Sequence, residues 1–246
     1  MKKSFAILSG KGGAGKTLLA TNLAAAFSEH KGSTLLVDAD FGLPNAHIMF
    51  GVNPEKTIDN YISGKDTFED IVYRVSPSLS IVAGKSGSSA LVDLSEENGA
   101  KIWHGIQSVR EKFEYVIIDN SAGAENHTMS LSCIESELVI SLVDLPTNFL
   151  DAYSTIKIAN QEHKIKDFLI CINQCNSVTN ARKVFDKFNK ITTQFLEVSL
   201  HYIGFLPRSN NIEDSITNRE PFYHNKKNQE HSLIDSIMKN LDGNAL

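Results

Sequence analysis

A single α/β domain, built on a mostly parallel twisted sheet with helices on both faces, is predicted by three features of this sequence. Short apolar runs of strand length alternate with longer stretches of helical periodicity along the whole chain, the pattern of repeated βαβ units. The first apolar run passes directly into a glycine-rich turn and then a helical stretch. Several runs also end in a carboxylate or an amide, where strands of an open α/β sheet meet the edge that binds ligands. At 246 residues with 41% hydrophobic content, the chain can bury one substantial core over residues 1–246.

Ser4-Phe5-Ala6-Ile7-Leu8-Ser9 is the first strand. It runs into Gly10-Lys11-Gly12-Gly13-Ala14-Gly15-Lys16-Thr17, which fits G-x-x-x-x-G-K-[ST] in the strand-to-helix context that this pattern requires. The glycines let the backbone turn tightly enough for its N–H groups to surround phosphate oxygens. The helix opening at Leu18 adds partial positive charge, and Lys16 adds a full one. The Thr17 hydroxyl is placed to ligate magnesium. The chain is therefore expected to bind a nucleoside triphosphate as a phosphate-loop NTPase.

The second strand, Ser33-Thr34-Leu35-Leu36-Val37-Asp38-Ala39-Asp40, ends in two acids. Leu79-Ser80-Ile81-Val82-Ala83 is the third, followed by a helix over 100–112. Tyr115-Val116-Ile117-Ile118-Asp119 is a buried strand ending in a carboxylate. Beyond it come a strand over 137–143, a helix over 148–163 and a strand over 167–173. A helix over 180–195 carries Val184, Phe185, Phe188, Ile191 and Phe195, and a strand over 200–206 closes the sheet. Leu233, Ile234, Ile237, Met238 and Leu241 share one face of a last helix. Its polar side, Asp235, Lys239 and Asp242, is nearly neutral, so the helix is expected to pack on the sheet rather than lie on a membrane surface.

Composition excludes several classes. No stretch approaches about 18 uninterrupted apolar residues, so no membrane span is expected. Met1-Lys2-Lys3 enters the first strand at once, which leaves no signal peptide and predicts a cytoplasmic protein. Cys133, Cys171 and Cys175 are odd in number and suit reduced buried thiols better than a disulfide or a metal site. A net charge of −5 argues against intrinsic nucleic-acid binding.

Lys11 narrows the class. A second lysine in the loop, giving Lys11-Gly12-Gly13-Ala14-Gly15-Lys16-Thr17, is repelled by Lys16 unless a polyanion neutralises both. Here the chain resembles the MinD/ParA family of deviant Walker A ATPases, and the resemblance covers nearly its whole length. It implies ATP and ADP as ligands with magnesium, hydrolysis to ADP and phosphate, and a homodimer that forms on ATP and separates afterwards. Lys11 would reach the nucleotide of the partner subunit. Asp40 would position and polarise the attacking water, Asp38 would support the metal shell, and Asp119 would hold magnesium with Thr17. The resemblance also points to Asn173, in Ile172-Asn173-Gln174, as the adenine contact, with Pro207 and Arg208 covering the other side of the ring.

Within the family, several stretches are similar to the flagellar-number regulators FlhG and FleN. They are Thr57 to Gly64, Ile81 to Gly87, Asp151-Ala152-Tyr153-Ser154-Thr155-Ile156-Lys157, Tyr202 to Pro207 and Arg219-Glu220-Pro221-Phe222. That branch implies a protein partner that is positioned or that stimulates turnover, with placement at the inner face of the membrane or the cell pole. Asn120-Ser121 ahead of Ala122-Gly123 departs from the family's usual residues after the acid-ending strand and leaves turnover to be measured. The contact made by that branch's N-terminal extension is expected to be absent or made differently, and with a nearly neutral last helix either the chain is a shortened family member or its membrane contact depends on a partner. Two other classes are a DNA-partition ATPase, disfavoured by the acidic balance, and a metal or redox carrier, for which Cys133 has no partner spaced to bridge a cluster. A nucleotide-gated scaffold with negligible turnover is a third.

Overall fold

A computed structural model describes residues 2–40, 43–84, 96–123 and 135–243. Among these residues the strands are β1 (Lys3–Leu8), β2 (Thr34–Ala39), β3 (Tyr73–Arg74), β4 (Leu79–Val82), β5 (Tyr115–Asn120), β6 (Glu137–Val143), β7 (Asp167–Asn173) and β8 (Ser199–Phe205). They form one eight-stranded sheet in the order β3-β4-β2-β5-β1-β6-β7-β8. Every pairing is parallel except that of β3 with β4. The antiparallel edge strand β3 is a two-residue piece that hydrophobic patterning does not reveal.

The helices are α1 (Lys16–His30), α2 (Ala46–Met49), α3 (Ile58–Ile62), α4 (Glu96–Arg110), α5 (Pro146–His163), α6 (Val178–Phe195), α7 (Asn210–Asn218) and α8 (Gln229–Gly243). Three start earlier than their apolar periodicity suggests: α4 opens at Glu96, and α5 and α6 open early for local reasons. Pro146 opens α5 because a first-turn position needs no amide donor. Ser177 caps α6 by accepting the Asn180 N–H at 3.2 Å.

The pleat sorts the core into two faces. Phe5, Ile7, Leu36, Tyr115 and Ile117 pack against α1 and α8, which supply Leu19, Leu23, Phe27, Ile234, Ile237 and Leu241. On the opposite face, Ala6, Leu8, Ile140 and Ile170 meet Phe149, Ile156, Val184 and Phe188 of α5 and α6. There also Leu35, Val37, Val116 and Ile118 meet Ile102, Ile106 and Val109 of α4. The last helix is thus a core element, as its neutral polar side predicts, with Ile234, Ile237, Met238 and Leu241 buried.

Candidate phosphate-binding site

β1 lies inside the sheet between β5 and β6. Crossovers run to one side of β1 up to β5 and to the other side from β6 onward. The loop leaving β1 therefore sits at the switch point where open α/β sheets bind ligands. Gly15 caps α1 in the left-handed region at φ 79°. A side chain there would also meet the Asn173 Nδ2 at 2.2 Å, and one at Gly10 would meet the Asp151 backbone at 2.1 Å. Glycine is needed at both positions for close approach as well as for turning.

Side chains from β6 and β7, from Ser9 just after β1 and from the turn after β7 hold the loop's carbonyls. The Ser9 hydroxyl donates to the Lys11 carbonyl at 2.8 Å. Gln174 Nε2 donates to the Gly13 carbonyl at 2.9 Å. The Ala14 carbonyl accepts from Ser141 Oγ at 2.6 Å and from Asn173 Nδ2 at 3.0 Å. Asn173 Nδ2 also reaches the Gly15 carbonyl at 3.3 Å. In a trans peptide the C=O and the next N–H point in opposite directions. The N–H groups of Ala14, Gly15 and Lys16 therefore face away from these braces, on the side where an anion would bind. Lys16 is only 7% exposed, and its Nζ donates to Ser9 Oγ at 3.0 Å. Burial lowers its pKa, opposed by the charges of Asp119 and Asp40.

The acids gather beside this loop. Asp38 and Asp119 are register partners on β2 and β5, and both are fully buried. Asp38 accepts the Asp40 N–H at 3.2 Å and the Ala46 N–H at 2.9 Å, so it pins the turn carrying Asp40. Burial, reinforced by Asp119, pushes its pKa well above the usual carboxylate range. Asp119 differs, because neither buried oxygen has a hydrogen-bond partner among the described residues. Burial raises its pKa to about 7, opposed by the nearby Thr17 hydroxyl and Lys16 ammonium. A desolvated, unpartnered carboxylate beside a helix-start hydroxyl is the hard-oxygen donor set that suits magnesium. Half-buried Asp40 accepts the Leu43 N–H at 3.3 Å. Lys11 is exposed.

The structure therefore brings Gly10 to Leu18, Asp38, Asp40 and Asp119 into one site. Asn173, at the end of β7, lies beside the same loop. That side chain is 2% exposed, its Nδ2 serves the loop, and its Oδ1 accepts the Gln174 N–H at 2.9 Å. Pro207 is half-buried beyond β8, near residues 173–175 through the Leu206–Ile172 and Cys175–Leu206 backbone bonds. Sequence reasoning missed Ser9, Ser141, Gln174 and the Ala46 amide. Ser141 did carry a signal, as a lone hydroxyl inside the apolar run of β6.

Cys171 and Cys175 are buried free thiols, and burial pushes the Cys171 thiol up to about 12. Cys133 lies outside the described residues. Among the described residues no His, Cys, Asp and Glu cluster could hold a metal ion by itself, and no helix is long and apolar enough to cross a membrane.

Residues 5–222 match the family model described as the CobQ/CobB/MinD/ParA nucleotide binding domain. The chain is 29% identical over 218 residues to the antiactivator FleN of Pseudomonas aeruginosa, covering 89% of this chain and 78% of FleN. It is 28% identical over 219 residues to the flagellum site-determining protein YlxH of Helicobacter pylori, covering 89% and 74%. Among solved structures, the septum site-determining protein MinD of Pyrococcus horikoshii OT3, complexed with Mg-ADP, superposes with a TM-score of 0.81. That match covers 99% of this chain and 97% of MinD at 20% identity, a likeness of fold.

Proposed function

The chain belongs to the CobQ/CobB/MinD/ParA nucleotide-binding family, and on that premise we propose that it is an ATP-hydrolysing dimerisation switch that controls where a cellular structure is placed. The observation that carries this reading is the pairing of two lysines of opposite exposure on one loop. Lys16 is buried within electrostatic reach of Asp119, while Lys11 stands exposed. The names of FleN and YlxH favour flagellum number or placement as the regulated property, and that of MinD favours division-site placement.

On ATP binding, Lys16 Nζ exchanges Ser9 Oγ for phosphate oxygens, and the N–H groups of Ala14, Gly15 and Lys16 surround the same anion. Thr17 and Asp119 would hold magnesium, with Asp38 supporting that shell through the turn it pins. Bound there, magnesium neutralises charge on the terminal phosphates. Asp40 orients a water toward the γ-phosphorus. The water's oxygen bonds to phosphorus as the bond to the ADP oxygen breaks, releasing ADP and inorganic phosphate, with one of the water's protons kept on the phosphate and the other passing to solvent. Lys11 donates to the nucleotide of a second subunit, so the γ-phosphate's extra charge favours a dimer with both nucleotides at its interface. A protein partner that stimulates this step would set the lifetime of the dimer.

Size-exclusion chromatography with ADP and with a non-hydrolysable ATP analogue tests this reading, together with a phosphate-release assay. A shift to dimer with the analogue alone, and slow phosphate release from ATP, are expected. A monomer under both conditions would remove the switch.

A further inference from the structure

We propose that Ser9 is a positioning residue for the dimer. Its hydroxyl fixes the Lys11 peptide, and with it the direction in which the exposed Lys11 side chain leaves the loop, while giving the buried Lys16 ammonium a resting acceptor. This rests on the reading of Lys11 as a donor to the nucleotide of a second subunit. Three observations carry it.

The first is what the hydroxyl touches. Ser9 is 1% exposed just after β1, and its Oγ donates to the Lys11 carbonyl at 2.8 Å while accepting from Lys16 Nζ at 3.0 Å. One small side chain thus meets both lysines of the loop, the buried one through its ammonium and the exposed one through its backbone. A hydroxyl has a single proton to give, and here it goes to Lys11.

The second is that Ser9 is itself held. Its carbonyl accepts the Gly123 N–H at 3.3 Å, which ties the end of β1 to the chain beyond β5. Gly123 adopts φ 104°, a conformation that residues with side chains rarely take. The hydroxyl therefore stands on a fixed point from which it can hold a loop.

The third is a contrast along the loop. At Gly10 a Cβ would meet the Asp151 backbone at 2.1 Å, so the chain entering Lys11 is tightly packed. At Gly12 and Gly13 a Cβ would meet nothing within 4 Å, and residues 11–13 are all exposed. Packing fixes the peptide before Lys11 but not the one after it. The Ser9 hydrogen bond supplies that second hold, and the two planar peptides flanking a Cα together set the direction of its side chain. A lysine already aimed loses less freedom on reaching a partner's phosphate, which strengthens the dimer. Binding of ADP by one subunit uses Lys16 and the loop amides, so it does not draw on this hold.

A double-mutant cycle tests the proposal. The dimer is measured by analytical ultracentrifugation with magnesium and a non-hydrolysable ATP analogue, and ADP affinity by isothermal titration. Wild type that binds ADP but stays monomeric with the analogue would sink the switch reading itself and leave Ser9 no dimer to position. With wild type dimerising, Ser9→Ala should weaken the dimer about tenfold, one hydrogen bond being lost in each subunit, and keep ADP affinity within about threefold. In a Lys11→Ala chain, adding Ser9→Ala should weaken the dimer by less than about twofold more, because both residues act through one contact. Ser9→Cys keeps the size of the side chain but hydrogen-bonds weakly, so it should repeat the Ser9→Ala result, and it decides the matter if that variant fails to fold. Equal losses of ADP affinity and of dimer would make Ser9 a general support of the loop and overturn the proposal. An unchanged dimer would overturn it as well, as would a further loss of about tenfold on top of Lys11→Ala.

Discussion

On the β2–β5 side of the phosphate loop stand Asp38, Asp40 and Asp119, and on the β6–β7 side stand Ser141 and Asn173. The first group is ionisable, and its neighbours add to the cost of ionising Asp38 and Asp119. Asp38 sits well above the usual carboxylate range and Asp119 near 7, each through burial first. The second group is neutral, its donors taken up by loop carbonyls and the Asn173 oxygen by the Gln174 N–H. A buried carboxyl without partners is destabilising in the free protein and becomes useful when a cation or an attacking water arrives. A satisfied amide does its work beforehand. One side of the loop therefore supplies chemistry and the other supplies shape, and substitutions on the two sides should fail in different ways.

The largest expected effect is on the charged side. Asp40→Ala should retain ATP binding but hydrolyse about 10²–10⁴-fold more slowly, the usual loss for a water-positioning group. Phosphate release at the wild-type rate would show that Asp40 does not orient the water. Lys16→Ala comes next, because it removes a charge-assisted contact of about 1.5–3 kcal/mol. Affinity for ATP should fall by roughly ten- to a hundredfold in isothermal titration, and an unchanged value would contradict the phosphate site.

Lys11→Ala should leave ADP binding by the monomer near wild type and weaken the dimer formed with an ATP analogue by at least about tenfold, as loss of a close interfacial charge pair does. Normal dimerisation of this variant would make Lys11 an ordinary exposed lysine.

The smallest effect is on stability and has a definite sign. The folded pKa of Asp119, about 7, lies above its ordinary value of 3.8. Between those values the unfolded chain ionises while the folded protein keeps its proton. Asp119 therefore lowers stability progressively as pH rises toward 7, and the full penalty applies above it. Asp119→Asn should raise the melting temperature of the metal-free protein by a few degrees at pH 8 and by very little near pH 4, while weakening magnesium-nucleotide binding. Equal shifts at both pH values would mean that ionisation of Asp119 is not the cause.

Most of the fold was legible in the sequence because each strand is a contiguous apolar run and each helix carries its own periodicity. Helix starts were less so: α5 and α6 begin at Pro146 and after Ser177, where capping and not apolar spacing decides. The edge strand β3 was invisible because two exposed residues carry no pattern. At the site, a strand-end amide such as Asn173 gives no sign in the sequence that its Nδ2 also serves loop carbonyls.

What the sequence by itself determined was the phosphate loop, the two lysines on it and the acids ending β2 and β5. Their meaning lies in local order, with spacing along a few residues setting which atoms can face a phosphate. Only the tertiary structure decided how that loop is held. Ser141 stands 127 residues from the carbonyl it supports and Asn173 stands 159 residues from it. Their convergence depends on β6 and β7 lying beyond β1 in the sheet order. Sheet order is set by which hydrophobic faces pack together, a global property that leaves no mark on any single stretch of chain.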